Sequence, residues 1–324
     1  MKKVVIIFTG GTISMRIDEK TGGAVPYLSG KEIINLIPGI NQLADIEIYD
    51  FGKYPGPHMT LELMMNLKNI VNSIITREDV EGIIITHGTD TLEETAYLLD
   101  LTTNSTKPIV VTGAMRNASE PNWDGERNLV DSIDVVLNEN CHNLGVLVCL
   151  NSEINAASEV TKIFSDEVDT FKSLDFGALG FVGGGKIVLN RIPRRREYIS
   201  SDRIEGNIDL ILVHADMSEK FFKFSADSGI KGVVVEALGV GNVPPKAFDG
   251  IKYIREKNIP VVLTSRCPAG ETMDIYGYYG AGKWLKEIGV IFSDHLNGQK
   301  AKIKLGLLSG LEKREEEIKK WFEE

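Results

Sequence analysis

Four short runs dominated by valine and isoleucine mark the first half of this 324-residue chain, at residues 4–8, 82–86, 108–115 and 145–150. They are apolar almost throughout instead of alternating with polar residues, so each needs cover on both faces. Segments with helical periodicity separate them. Leu63, Leu67, Ile70 and Ile74 fall on one stripe of residues 60–75, and Leu92, Ala96 and Leu99 share a face just after the second run. Strands of that kind, alternating with amphipathic helices, predict a parallel sheet with helices on both sides.

A shorter series of the same kind follows at residues 209–215, 232–238 and 260–265, and a charged helix is expected at 312–324. Between the two series, residues 190–207 break the pattern with proline, an arginine cluster and polar turn residues. In an acidic chain this cluster reads as a solvated connector, not an anion site. A chain of 324 residues with 43% hydrophobic composition also exceeds the usual size of a single core. The expectation is an α/β protein in two parts. A large N-terminal parallel-sheet α/β domain spans 1–190 and carries the site, a linker spans 191–207, and a smaller C-terminal flavodoxin-like α/β domain spans 208–324.

The formal charge of −10, from 36 basic and 46 acidic residues, opposes binding to phosphate backbones and anionic membranes. Cys141, Cys149 and Cys267 are widely spaced, which argues against a disulfide framework or a thiolate zinc site and reads as buried thiols in a reducing compartment. The N-terminal apolar run ends in glycines with no cleavage signal behind it, and no stretch approaches the roughly 20 apolar residues of a membrane span. A cytoplasmic location is expected.

Ligands of open parallel sheets bind outside the carboxyl ends of the strands. Two threonine-bearing turns fall there: Thr12 in "IIFTGGTIS", and Thr89 with Asp90 in "IIITHGTDTLEET". Gly10 and Gly11 let backbone approach a ligand, and their N–H groups suit an anion or a developing oxyanion. The glycines do not open a helix as a dinucleotide fingerprint requires. A second glycine-rich stretch, "GFVGGGKI" at 180–187, imitates a P-loop but has Ile187 where magnesium coordination needs Ser or Thr.

Thr91 and Glu94 fit a capping box, which by itself accounts for that pair but leaves His87, Gly88, Thr89 and Asp90 without a purpose. A threonine hydroxyl needs a neighbouring group to take its proton before it attacks. Lys162, in a polar stretch after the fourth run, is a candidate. A free lysine titrates near ~10.4 and Asp90 beside it favours the charged form, so Thr89, Asp90 and Lys162 are read as one coupled proton network.

These residues resemble the L-asparaginase (asparaginase/glutaminase) family of bacterial and archaeal amidohydrolases. The similarity rests on "TGGTI" at 9–13, "THGTDTLEETAYLLDL" at 86–101, "GAMR" at 113–116, the "DG" and "NL" pairs within 124–129, and "VTKIFSDEVDTFKS" at 160–173. "GVGNVP" at 239–244 and "SRCPAG" at 265–270 extend it into the second part of the chain. The resemblance implies hydrolysis of L-asparagine to L-aspartate and ammonia, some glutaminase activity, and no metal or organic cofactor. It implies Thr12 as nucleophile, Tyr27 as its loop partner, and Thr89, Asp90 and Lys162 as the second catalytic group. Gly11, Gly56, Pro57, Gly88, Ala114 and Asn242 are the implied substrate-binding positions, and a homodimer or a tetramer of paired dimers is the implied assembly.

Residues 12–29 would then form a lid. Three features depart from the family pattern. Gly56 stands where a substrate-binding serine is common, Pro244 stands where an asparagine often follows, and tyrosines in 270–280 occupy the region of a donated carboxylate. His58, a lone histidine beside prolines, reads as structural. Two other readings stay open: an asparaginase-like amidotransferase subunit, disfavoured because the first strand starts at Val4, and a binding module that keeps the fold without turnover.

Overall fold

The valine- and isoleucine-rich runs form strands, and the segments between them form helices. The structure, a computed structural model, describes residues 1–323 and divides into two units, Met1–Tyr198 and the residues from Ile199 onward. In the first unit, β1 (Lys3–Gly10) leads through a 3-10 turn, Thr12–Ser14, into a small hairpin of β2 (Met15–Ile17) and β3 (Ala24–Pro26). Then come α1 (Gly30–Asn35), β4 (Asp45–Tyr54), α2 (Leu61–Ile75), β5 (Val80–Thr86), α3 (Leu92–Thr102), β6 (Ile109–Thr112), α4 (Gly125–Leu137) and β7 (Val146–Leu150). β8 (Glu153–Ala156), two-residue strands β9 (Thr161–Lys162) and β10 (Phe171–Lys172), β11 (Gly180–Gly183) and β12 (Lys186–Leu189) complete it.

Eight of these strands make one sheet in the order β12-β11-β8-β7-β6-β5-β1-β4. The five from β4 to β7 are parallel, as their apolar runs predict. Side chains of β1 alternate between two cores. Val4, Ile6 and Phe8 pack with Ile33 of α1 and Leu129 and Ile133 of α4 on one face. Val5 and Ile7 pack with Leu67 and Val71 of α2 and Leu92 and Leu99 of α3 on the other. Both faces are therefore covered, and continuous apolar strands are the consequence.

Beyond β7 the sheet turns antiparallel. Asn151 and Ser152, at φ 49° and 63°, make a two-residue turn that returns the chain directly into β8. The P-loop look-alike is a hairpin between β11 and β12, whose Gly184 and Gly185, at φ 57° and 72°, supply the positive dihedrals that a tight turn of matching twist requires. The arginine stretch, in which Arg194 and Arg196 are exposed, is tied to the first unit. Arg191 pairs with Glu159, the Arg194 N–H donates to the Glu159 carboxylate at 2.8 Å, and Arg196 reaches the Asn143 carbonyl at 3.0 Å.

The second unit contains β13 (Ile208–Leu212), α5 (Lys220–Asp227), β14 (Gly232–Ala237), α6 (Pro245–Glu256), β15 (Val261–Ser265), α7 (Gly282–Glu287), β16 (Ile291–Phe292), α8 (Gly298–Gly310) and α9 (Glu315–Glu323). Its four strands are parallel and lie in chain order. Val233, Val235 and Leu263 pack against Phe222, Phe248 and Ile251 in a core of its own. The unit is a small parallel α/β sheet, as expected. The strand reversal of a flavodoxin-like sheet, however, lies in the larger unit, where β4-β1-β5-β6-β7 follows the 2-1-3-4-5 order. Cys141 and Cys149 are buried, and burial pushes the Cys141 thiol up to about 11. Cys267 is exposed, against the reading of all three as core residues. No helix among the described residues is long and apolar enough to cross a membrane.

Candidate active site

The reversal of strand order places a switch point between β1 and β5, and both threonine turns leave the sheet there. What holds the turns together is the absence of side chains. A Cβ on Gly11 would stand 2.5 Å from the Gly88 N and Cα, and one on Gly88 would stand 2.6 Å from the Gly56 N and Cα. Three chain segments thus cross in contact at their backbones. Gly11 also adopts φ 77° and ψ −178°, a region almost closed to other residues.

Thr12 begins the 3-10 turn after β1 and is half-buried; its hydroxyl bonds to no described residue. Thr89 is 5% exposed. Its Oγ1 accepts a hydrogen bond from Lys162 Nζ at 3.0 Å, and the same ammonium donates to Asp90 Oδ1 at 2.8 Å. An ammonium only donates, so Thr89 accepts from it and keeps its own O–H proton for another partner. The expected network of Thr89, Asp90 and Lys162 is assembled across 73 residues of sequence by the short β9–β10 hairpin, which seats Lys162 opposite Phe171. The Lys162 side chain is 16% exposed and that of Asp90 59% exposed, so the pair reaches from the crevice wall to solvent.

Thr91 does not cap α3. It makes no side-chain cap bond, and its hydroxyl instead donates to the Gly56 carbonyl at 2.8 Å, pinning the Gly56 turn onto the Thr89 turn. The capping-box reading of Thr91 and Glu94 is thereby overturned, because the buried Gly56 carbonyl of a neighbouring segment competes successfully for the hydroxyl. His87 is fully buried, with Nδ1 2.9 Å from the Gly88 carbonyl and Nε2 2.8 Å from Thr95 Oγ1. Burial pulls its pKa down to about 4.

The remaining expected positions divide. Ala114 is 0% exposed and follows β6, beside Gly113, where an added Cβ would lie 3.5 Å from the Thr89 methyl. Gly56 is buried, and a Cβ there would sit 3.3 Å from the Asp90 Cβ, so a serine at this position would crowd Asp90. Pro57 and His58 are exposed in the following 3-10 turn. Tyr27 stands 57% exposed; its N–H donates to the Ser14 carbonyl, and its hydroxyl has no described partner, Thr12 included. The segment expected as a lid contains the β2–β3 hairpin. Asn242 belongs to the second unit, where its Oδ1 is buried without a hydrogen-bond partner beside a cavity of about 500 Å³ lined by Pro244, Tyr278 and Tyr279.

Two residues quoted in the sequence motifs without a role support the loop after β6. Asp124 and Asn128, in the "DG" and "NL" pairs, bond to the loop that carries Ala114. Their motif was visible, but its target was not. Among the described residues, one cluster has metal-ligand types: Glu271, Asp294 and His295 in the second unit. Its His295 Nε2 lies 2.5 Å from Glu271 and 3.1 Å from Asp294, so the three already satisfy one another.

Residues 3–195 match the family model of the asparaginase N-terminal domain, and residues 207–322 match that of the glutaminase/asparaginase C-terminal domain. An L-asparaginase of Bacillus licheniformis is 30% identical over 95% of this chain and 95% of its own length. A glutaminase-asparaginase of Pseudomonas fluorescens is 30% identical over 83% of this chain and 77% of its own length. The crystal structure of a probable cytoplasmic L-asparaginase from Campylobacter jejuni superposes with a TM-score of 0.87 at 30% identity, covering 99% of both chains. Similarity of this extent, across both units, means that the chain belongs to the asparaginase/glutaminase family.

Proposed function

We propose that this chain hydrolyses the side-chain amide of L-asparagine to L-aspartate and ammonia, with some activity on L-glutamine. The observation that carries the reading is the Asp90–Lys162–Thr89 chain of hydrogen bonds at the end of β5, held by glycine contact against the Thr12 turn at the end of β1. Thr12 Oγ, free of other partners, attacks the amide carbon. The C–N bond breaks, ammonia leaves with a proton delivered through the Thr89 network, and water then cleaves the aspartyl ester to restore Thr12.

The peptide N–H groups of Thr12 and Thr89 bond to no described residue, which leaves them for the oxyanion. Loss of one such donor typically costs about 3 kcal/mol in the transition state. The chemistry uses hydroxyl, ammonium and peptide groups alone and calls for no metal or organic cofactor. Tyr27 serves as a loop partner that approaches Thr12 once substrate is bound, and Gly11, Gly56, Pro57, Gly88, Ala114 and Asn242 form the substrate surround. Asn242, in the second unit, belongs to this set through self-association as a homodimer or a tetramer of paired dimers. A cytoplasmic location and a catalytic domain at 1–190, a linker at 191–207 and a C-terminal domain at 208–324 go with this reading.

The test is ammonia release from L-asparagine and L-glutamine by wild-type protein and by Thr12→Ala and Thr89→Val. Both substitutions are expected to remove turnover with the thermal midpoint unchanged, because neither hydroxyl supports the core. Lys162→Met should lower the rate by roughly 10²- to 10⁴-fold. Full turnover in Thr12→Ala would remove it as nucleophile, and no release by wild type would refute the reading.

A further inference from the structure

We propose that Asp124 and Asn128 are positioning residues, which aim the peptide groups of Ala114 into the crevice; the proposal rests on the amidohydrolase reading above. The two side chains sit one turn apart at the start of α4 and grip the loop after β6 on both sides of Ala114. Asn128 Nδ2 donates to the Gly113 carbonyl at 2.9 Å and to Asp124 Oδ2 at 3.1 Å. The Asp124 carboxylate accepts the Met115 N–H at 3.0 and 3.1 Å and the Arg116 N–H at 2.9 Å. Asn128 is itself held, since its Oδ1 accepts the Asn151 N–H at 2.9 Å.

Planar peptides turn these contacts into an orientation. No described peptide bond is cis, and in a trans peptide the C=O and the following N–H point in opposite directions. The Gly113 carbonyl faces α4, so the Ala114 N–H faces away from it. The Met115 N–H faces α4, so the Ala114 carbonyl also faces away. Ala114 is 0% exposed, yet neither its N–H nor its C=O bonds to any described residue. Buried backbone polar groups are nearly always paired, so an unpaired couple beside Thr89 marks groups that await a substrate.

The freed carbonyl can only accept. It suits the NH₂ of a side-chain amide and repels the carboxylate oxygen that replaces it in the product. The same loop also meets the β2–β3 hairpin, where the Ala118 N–H donates to the Met15 carbonyl and Ser119 Oγ accepts the Ile17 N–H.

A merely structural clamp would affect all substrates alike, whereas an aimed acceptor matters only where the leaving group carries N–H. Asp124→Ala and the milder Asp124→Asn are therefore to be assayed on L-asparagine and on the β-methyl ester of L-aspartate, with thermal midpoints measured alongside. Asp124→Ala is expected to lower kcat on the amide by about 10- to 100-fold, as a misplacement near 1 Å does, and kcat on the ester by less than about threefold. Asp124→Asn, which keeps one acceptor oxygen, should fall between. Equal losses on amide and ester, or an unchanged kcat on the amide, would overturn the proposal while Thr12-dependent turnover by wild type still stands. Absence of that wild-type turnover would overturn the functional reading and this proposal with it.

Discussion

At the scale of single residues, His87 shows how burial decides a role. It lies two positions before Thr89, but its Nδ1 faces a backbone carbonyl, which only accepts, so that nitrogen carries the proton and Nε2 accepts from Thr95. With its pKa lowered to about 4, it is neutral in the folded chain at neutral pH. The unfolded chain takes up a proton near 6.5 and the folded one only near 4, so His87 lowers stability progressively as pH falls through that window. A shift from 6.5 to about 4 corresponds to roughly 3 kcal/mol at the acid end. Urea unfolding at pH 7.5 and pH 4.5 should show a larger acid loss in wild type than in His87→Gln; equal losses would refute the assignment. Thr91 teaches the same lesson, since its sequence neighbours suggest a cap and its spatial neighbour, the Gly56 carbonyl, takes the hydroxyl.

At the scale of elements, the site depends on backbones that touch. The Gly11, Gly88 and Gly56 crossing brings the ends of β1 and β5 and the turn after β4 into one place with no side chain between them. Gly88→Ala should destabilise the protein by about 1–3 kcal/mol through overpacking and should also lower turnover, because the Gly56 backbone must move and Thr89 with it. A urea midpoint equal to that of wild type would show that the crossing has slack. The glycines at 184 and 185 do the opposite work, with nothing near them, and serve a turn. Both stretches are glycine-rich in sequence; only the surroundings separate a packing glycine from a turning one.

At the scale of the whole molecule, each unit has its own core and its own parallel sheet, and the residues expected to act together are shared between them. Asn242, in the second unit, has a buried and unpartnered Oδ1 and lines a cavity with exposed Tyr278 and Tyr279. Sedimentation equilibrium is therefore expected to give two or four times the chain mass of 35.8 kDa, and a mass of one chain would refute the proposed assembly. The sequence by itself determined the parallel α/β class and the strand ends that carry Thr12 and Thr89, whereas spacing alone offered Lys162 only as a candidate partner for Thr89 and fitted a surface lysine as well. Continuous apolar runs and strand-end glycines are local features that periodicity and spacing display. Only the tertiary structure decided the strand order and its switch point, the antiparallel return after β7, the bond from Thr91 to Gly56, and the grip of Asp124 and Asn128 on the Ala114 loop. Each of these depends on contacts between residues distant in sequence, where competition among neighbouring donors and acceptors, not local propensity, sets the outcome.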